Sequence, residues 1–119
     1  MPEIISLAKN NNLIVIESSG SFNVAEIKLA ITKVKYLHDS FGIDKVLVDR
    51  RKRTELPDSE QYLEVGAYLA RQTQGKVRFA VLTTLDPADH EFFKTVVTIK
   101  DGIVEFFDDE SHALRWLGL

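Results

Sequence analysis

With 119 residues, 45% apolar and 28% charged, the chain is large enough for a core of its own and lies far from the composition of a disordered segment. Its formal net charge of −3 argues against a general nucleic-acid binder, and the lack of cysteine excludes disulfides, thiolate metal sites and a cysteine nucleophile. No apolar run approaches the roughly 20 residues of a membrane span, and Glu3, Asn10 to Asn12 and Glu17 do not read as a signal peptide, so residues 1–119 are expected to form a single soluble cytoplasmic domain.

Residues 4–8 and 13–16 are β-rich and are separated by Lys9, Asn10, Asn11 and Asn12. Asparagine tolerates positive φ, so this stretch predicts a hairpin. Asn23, with Glu26 three positions on, is a loose capping box that starts a helix. Val24, Ile27, Ile31, Val34, His38 and Phe41 then form one continuous helical face, with Lys28, Lys35 and Asp39 off it. Gly42 is placed as a left-handed cap, with Ile43 packing back on Leu37 as in a Schellman ending.

Lys45, Val46, Leu47, Val48 and Asp49 make a short apolar run of the kind buried on both faces of a parallel sheet. The basic run Arg50-Arg51-Lys52-Arg53 and Pro57 predict a loop, and Asp58 or Ser59 predicts the cap of a second helix that stops at Gly75. Within that helix Gly66 marks a close approach, for which a neighbouring strand is the expected partner and a ligand the alternative. Residues 77–84 repeat the buried-strand pattern. Residues 89–107 carry two signals: β-branched Thr95 to Ile99 before Asp101-Gly102 proposes a hairpin, while Phe92, Phe93, Val96 and Val97 keep helical spacing. Asp108, Asp109 and Glu110 form the acidic first turn of a closing helix bearing Ala113, Leu114 and Leu117. Strands alternating with helices imply a mostly parallel α/β sheet of about five strands and four helices, with an antiparallel N-terminal edge strand.

The ending Phe92-Phe93-Lys94-Thr95-Val96, Gly102, Val104-Glu105-Phe106-Phe107 and Ala113-Leu114-Arg115-Trp116-Leu117, together with Val46-Leu47-Val48-Asp49-Arg50, resembles the small bacterial members of the STAS/SEC14-like superfamily, the SpoIIAA-like anti-sigma-factor antagonists. The resemblance spans nearly the whole chain, mainly at packing positions, and implies a helix over residues 89–100. It also implies a protein-binding regulator switched by phosphorylating a serine in an Asp-Ser-x-Gly loop before the second core helix. Here the corresponding loop reads Asp58-Ser59-Glu60-Gln61, which brings Ser59 to that place but lacks the glycine.

Open α/β sheets collect ligands beyond the C-terminal ends of their parallel strands. There the sequence places Asp49, Arg50, Arg51, Arg53, Asp58, Ser59, Thr84 and Asp86 as candidate ligand- or partner-binding residues. Arginines beside a helix N-terminus would suit a phosphate or carboxylate; the plainer alternative is a solvated loop whose arginines pair with Asp49, Glu55 or Asp58. Ser18, Ser19 and Ser21 around Gly20 read as a turn, His38 as a packing residue with one hydrogen bond, and His90 as a surface residue near a helix start. Asp86-x-x-Asp89-His90 lacks a further metal ligand at helical spacing. Neither a Gly-x-Ser-x-Gly elbow nor a phosphate-binding glycine loop occurs, and no cofactor is implied.

The leading expectation is therefore a non-enzymatic module that engages a protein partner or a small anionic ligand at this rim. A carrier of a small apolar or lipid-like ligand under the C-terminal aromatics is the alternative, a homodimer through that apolar patch is compatible with either, and an enzyme using Asp49, Asp86 or His90 is a third.

Overall fold

Left-handed backbone at Lys9, Asn10 and Asn11, with φ of 53°, 59° and 63°, closes the first hairpin as the asparagine run predicts. In the computed structural model, which describes residues 3–53, 57–84 and 87–119, this hairpin joins strands β1 (Glu3–Ala8) and β2 (Leu13–Gly20). There follow helix α1 (Val24–Phe41), β3 (Lys45–Arg53), α2 (Ser59–Thr73), β4 (Arg78–Leu82), α3 (Pro87–Ile99), β5 (Ile103–Phe107) and α4 (Glu110–Trp116). The sheet order is β1-β2-β3-β4-β5, antiparallel between β1 and β2 and parallel elsewhere. Each parallel crossover carries a helix, and their N-termini therefore share one rim of the molecule.

Alternation along the strands divides the core in two. Ile14, Ile16, Val46, Phe79, Val81 and Val104 pack beneath α1, α2 and α3. Leu13, Leu47, Ala80 and Leu82 point the other way, against Ala113 of α4 and Leu117 at its C-cap. Val46 and Leu47 are both buried, one on each face, which is why the run around them is continuously apolar.

The helix ends follow side-chain chemistry. The Asn23 carboxamide accepts from the Glu26 N–H, and Asp58 and Gln61 complete a reciprocal capping box. Asp109 accepts from the N–H groups of Ser111 and His112. Gly42 is left-handed and its N–H donates to the His38 carbonyl at 2.8 Å, the single bond of the simpler αL ending rather than the paired bonds of a Schellman motif. The Schellman pair instead closes α3: Gly102 N–H donates to Val97 and Asp101 N–H to Thr98, with Asp101 at φ 68°. Residues 89–99 are thus helical and the local hairpin signal is overridden, because Phe93, Val96 and Val97 are buried.

Two further expectations are corrected. β3 does not end at Asp49; it runs through the basic segment to Arg53, because Lys52 and Arg53 pair with Ser19 and Gly20 of a β2 that is itself longer than expected. Gly66 faces a helix and not a strand: a Cβ there would lie 2.9 Å from Val96 Cγ1 and 3.3 Å from Val97 Cγ2, so the missing side chain lets α2 approach α3.

Candidate functional site

The predicted rim exists, since β3 and β4 are adjacent and co-directional, with Asp49 paired to Leu82. Asp49 and Arg51 lie on the α4 side of β3. Arg51 donates from Nε and Nη2 to the two carboxylate oxygens of Asp49 at 3.0 and 2.8 Å, and Nη2 also lies 3.6 Å from Glu110. These hydrogen bonds hold the Asp49 carboxyl below its usual range and the Arg51 guanidinium above its own. The exposed residues Asp58 and Ser59 open α2, with the Asp58 side chain committed to the cap, and Thr84 is exposed just beyond β4. Asp86 and Glu55 lie outside the described residues.

Arg50 and Arg53 do not join this rim, although the sequence placed them there. From Glu17 to Ser19 β2 advances two residues while its partner advances three, from Asp49 to Lys52. That bulge inverts the alternation, so Arg50 and Arg53, three apart, both turn toward the helix-covered face. Arg53 is buried and its Nη2 donates to Glu3 Oε2 at 3.1 Å; its Nη1 donates to the Ser21 carbonyl. Ser18 Oγ donates to the other Glu3 oxygen at 2.8 Å. Phe22 lies under both guanidinium groups, 5.9 Å from Arg50 and 5.5 Å from Arg53. Burial outweighs the Ser18 hydrogen bond and the arginine charges and leaves the Glu3 carboxyl above its usual range; burial also draws the Arg50 guanidinium down.

A small apolar cavity of about 70 Å³ adjoins this cluster, lined by Arg50, Glu3 and Phe22 together with Leu69 and Phe79 among others. Sequence reasoning named neither Glu3 nor Phe22 nor Tyr62 as parts of a site, because a residue at the chain start and a bulge-dependent orientation leave no local signal. The C-terminal aromatics do not form one cluster either. Phe93 and Phe106 meet edge to face under the helices, while Phe107 packs on Trp116 on the α4 side. His90, expected on the surface, is buried and stacks on Phe106 at 4.3 Å between centroids. His38 matches its reading, half-buried with Nδ1 3.0 Å from the Ile43 carbonyl.

Between β4, β5 and α3 the rim dips into an open groove of about 530 Å³ lined by Thr83, Thr84, His90, Glu91, Glu105 and Asp108 among others. Among the described residues the exposed charged side chains at the helix N-termini along this rim are mainly acidic. Asp58, Glu60, Glu91, Asp108, Asp109 and Glu110 are exposed, against Arg51 and Lys52 on the basic side, and Lys94 is taken up by Glu105 at 2.7 Å. No helix among the described residues is long and apolar enough to cross a membrane.

Neither a protein-family model nor a curated protein matches the chain. Solved structures do. An uncharacterized protein with a SpoIIAA-like fold from Shewanella loihica PV-4 is similar over 98% of this chain and 94% of its own, at 17% identity and a TM-score of 0.61. The anti-sigma factor antagonist SpoIIAA in its unphosphorylated form is similar over 98% of this chain and 99% of its own, at 13% identity and a TM-score of 0.61. The protein TM1081, solved by NMR, is similar over 93% of this chain and 84% of its own, at 18% identity and a TM-score of 0.53. The chain has the SpoIIAA-like, or STAS, fold: an α/β sheet with one antiparallel edge and four helices.

Proposed function

We propose that the chain is a non-enzymatic, cytoplasmic regulatory module that binds a protein partner through the rim at the helix N-termini, the partner presenting basic groups to it. The observation that carries this reading is the sorting of charge by the β3 bulge. With Arg50 and Arg53 turned inward, the exposed rim is left with acidic side chains around an open groove. A small anion at that rim is thereby disfavoured, and a basic protein surface is favoured by charge complementarity. The fold shared with an anti-sigma factor antagonist supports a protein partner. Ser59, exposed in the first turn of α2, is the point at which a phosphate would add negative charge to the rim and weaken such a partner's hold.

Site-specific photocrosslinkers at Ser59 and Thr84, with controls at Asn11 and Lys76 on the opposite end, test this in cells. A partner is expected to crosslink from the rim only, and to be lost when Glu91, Asp108 and Glu110 are changed to lysine. Crosslinks confined to the hairpin end, or a rim product indifferent to the charge reversal, would overturn the reading.

A further inference from the structure

We propose that the cavity beneath α1 and α2 is a binding site for a small aliphatic carboxylate, its head held by Arg50 and its short tail in the apolar interior. The site is separate from the rim and does not depend on the partner proposed there.

The argument begins with the Arg50 guanidinium. Its Nε and Nη2 are both buried and meet no acceptor at full hydrogen-bond geometry; Tyr62 is the side chain that approaches Arg50 as a hydrogen-bond partner, and no carboxylate pairs with Arg50 among the described residues. These two nitrogens form the side-on edge of the fork, the one that matches the two oxygens of a carboxylate. The neighbouring residue shows what that edge takes up: Arg51 directs the same pair of nitrogens at Asp49, at 3.0 and 2.8 Å. A largely desolvated cation whose bidentate edge faces no carboxylate costs stability unless an anion completes it.

The surroundings define what completes it. Tyr62 stands beside Arg50 and the Phe22 ring lies 5.9 Å from it, so the head region is walled by aromatic groups. Glu3 is already engaged by Arg53 and Ser18, and Glu26 faces Glu3 from α1; a doubly charged phosphate would meet both carboxyl groups, whereas a monoanion balances Arg50. Beyond the head the lining is aliphatic and aromatic, including Ala30, Val48, Val65 and Phe79. The volume of about 70 Å³ is roughly half that of a benzene-sized cavity, which limits the tail to about three or four carbons.

Titration with isovalerate, followed by amide NMR shifts and by thermal shift, tests the proposal. Isovalerate is expected to move the signals of Ala30, Val48 and Val65 and to raise the melting temperature. Isovaleramide, with the same shape and no charge, is expected to bind at least tenfold more weakly, and so is decanoate, whose tail exceeds the cavity. Arg50→Met removes the head contact and is expected to abolish binding with an unchanged or higher melting temperature. Ala30→Leu keeps Arg50 and fills the tail space, and it too is expected to abolish binding. A folded protein that ignores isovalerate, binds its amide equally well, or retains binding in both variants would overturn the assignment. None of these outcomes touches the rim crosslinks.

Discussion

Two arginines two residues apart in β3, Arg51 and Arg53, each pair with a carboxylate, and the two pairs behave in opposite ways. On the α4 side Arg51 and Asp49 meet in water's reach, and hydrogen bonding keeps the Asp49 carboxyl below its usual range. On the helix side Arg53 and Glu3 meet in the interior, where desolvation raises the Glu3 carboxyl despite its arginine and serine partners. The chemistry is the same and the surroundings decide its sign. In the open pair the charges are already solvated and attraction adds a little; in the closed pair each charge has lost its water and holds its place only because the other is there.

Removing one member of the closed pair should have the largest effect on stability. Arg53→Met leaves Glu3 buried without its cation and is expected to cost about 3–5 kcal/mol in denaturant unfolding. The double variant with Glu3→Leu should recover most of that loss, because an apolar pair of similar volume carries no uncompensated charge. A double variant as unstable as the single one would show that the arginine stem, and not the pair, holds β1 in place.

The pH dependence comes next and separates the two pairs by direction. Between the usual 4.5 and its raised value, Glu3 holds a proton in the folded chain that the unfolded chain has released. Its contribution therefore makes stability fall as pH rises through that window, and Glu3→Gln should flatten that part of the curve. Asp49 acts oppositely: its stabilisation is present above 3.8 and is lost as pH falls through its lowered folded value. Chemical unfolding at a series of pH values reads both. A curve unchanged by Glu3→Gln would mean that Glu3 is ionised as readily in the folded chain as in the unfolded one.

The smallest effect is expected at the open pair. Arg51→Ala should cost about 0.2–1 kcal/mol and less at high salt, since exposed ion pairs contribute little. A loss as large as that of Arg53→Met would remove the distinction between the two pairs.

Much of the scaffold was legible in local chemistry. The asparagine turn, the Asn23, Asp58 and Asp109 starts, the buried runs of β3 and β4 and the mostly parallel sheet with its antiparallel edge strand were all readable from residues close in sequence. Where two local signals competed, over residues 89–100, the helix prevailed because burial of Phe93, Val96 and Val97 outweighs β-branched propensity. The candidate site was legible only in part. Asp49, Arg51, Asp58, Ser59 and Thr84 share the rim; Arg50 and Arg53 left it, and the Glu3 that receives Arg53 stands fifty positions away.

By itself the sequence determined the elements, their caps and the side of the molecule on which the helix N-termini gather, because these depend on propensities and periodicities within a few residues. Only the tertiary structure decided which way the basic run faces, that Gly66 meets α3, and that His90 lies inside. Those outcomes hang on strand register and on pairing partners distant in the chain. One extra residue in a strand exchanges its faces without leaving any mark on local composition.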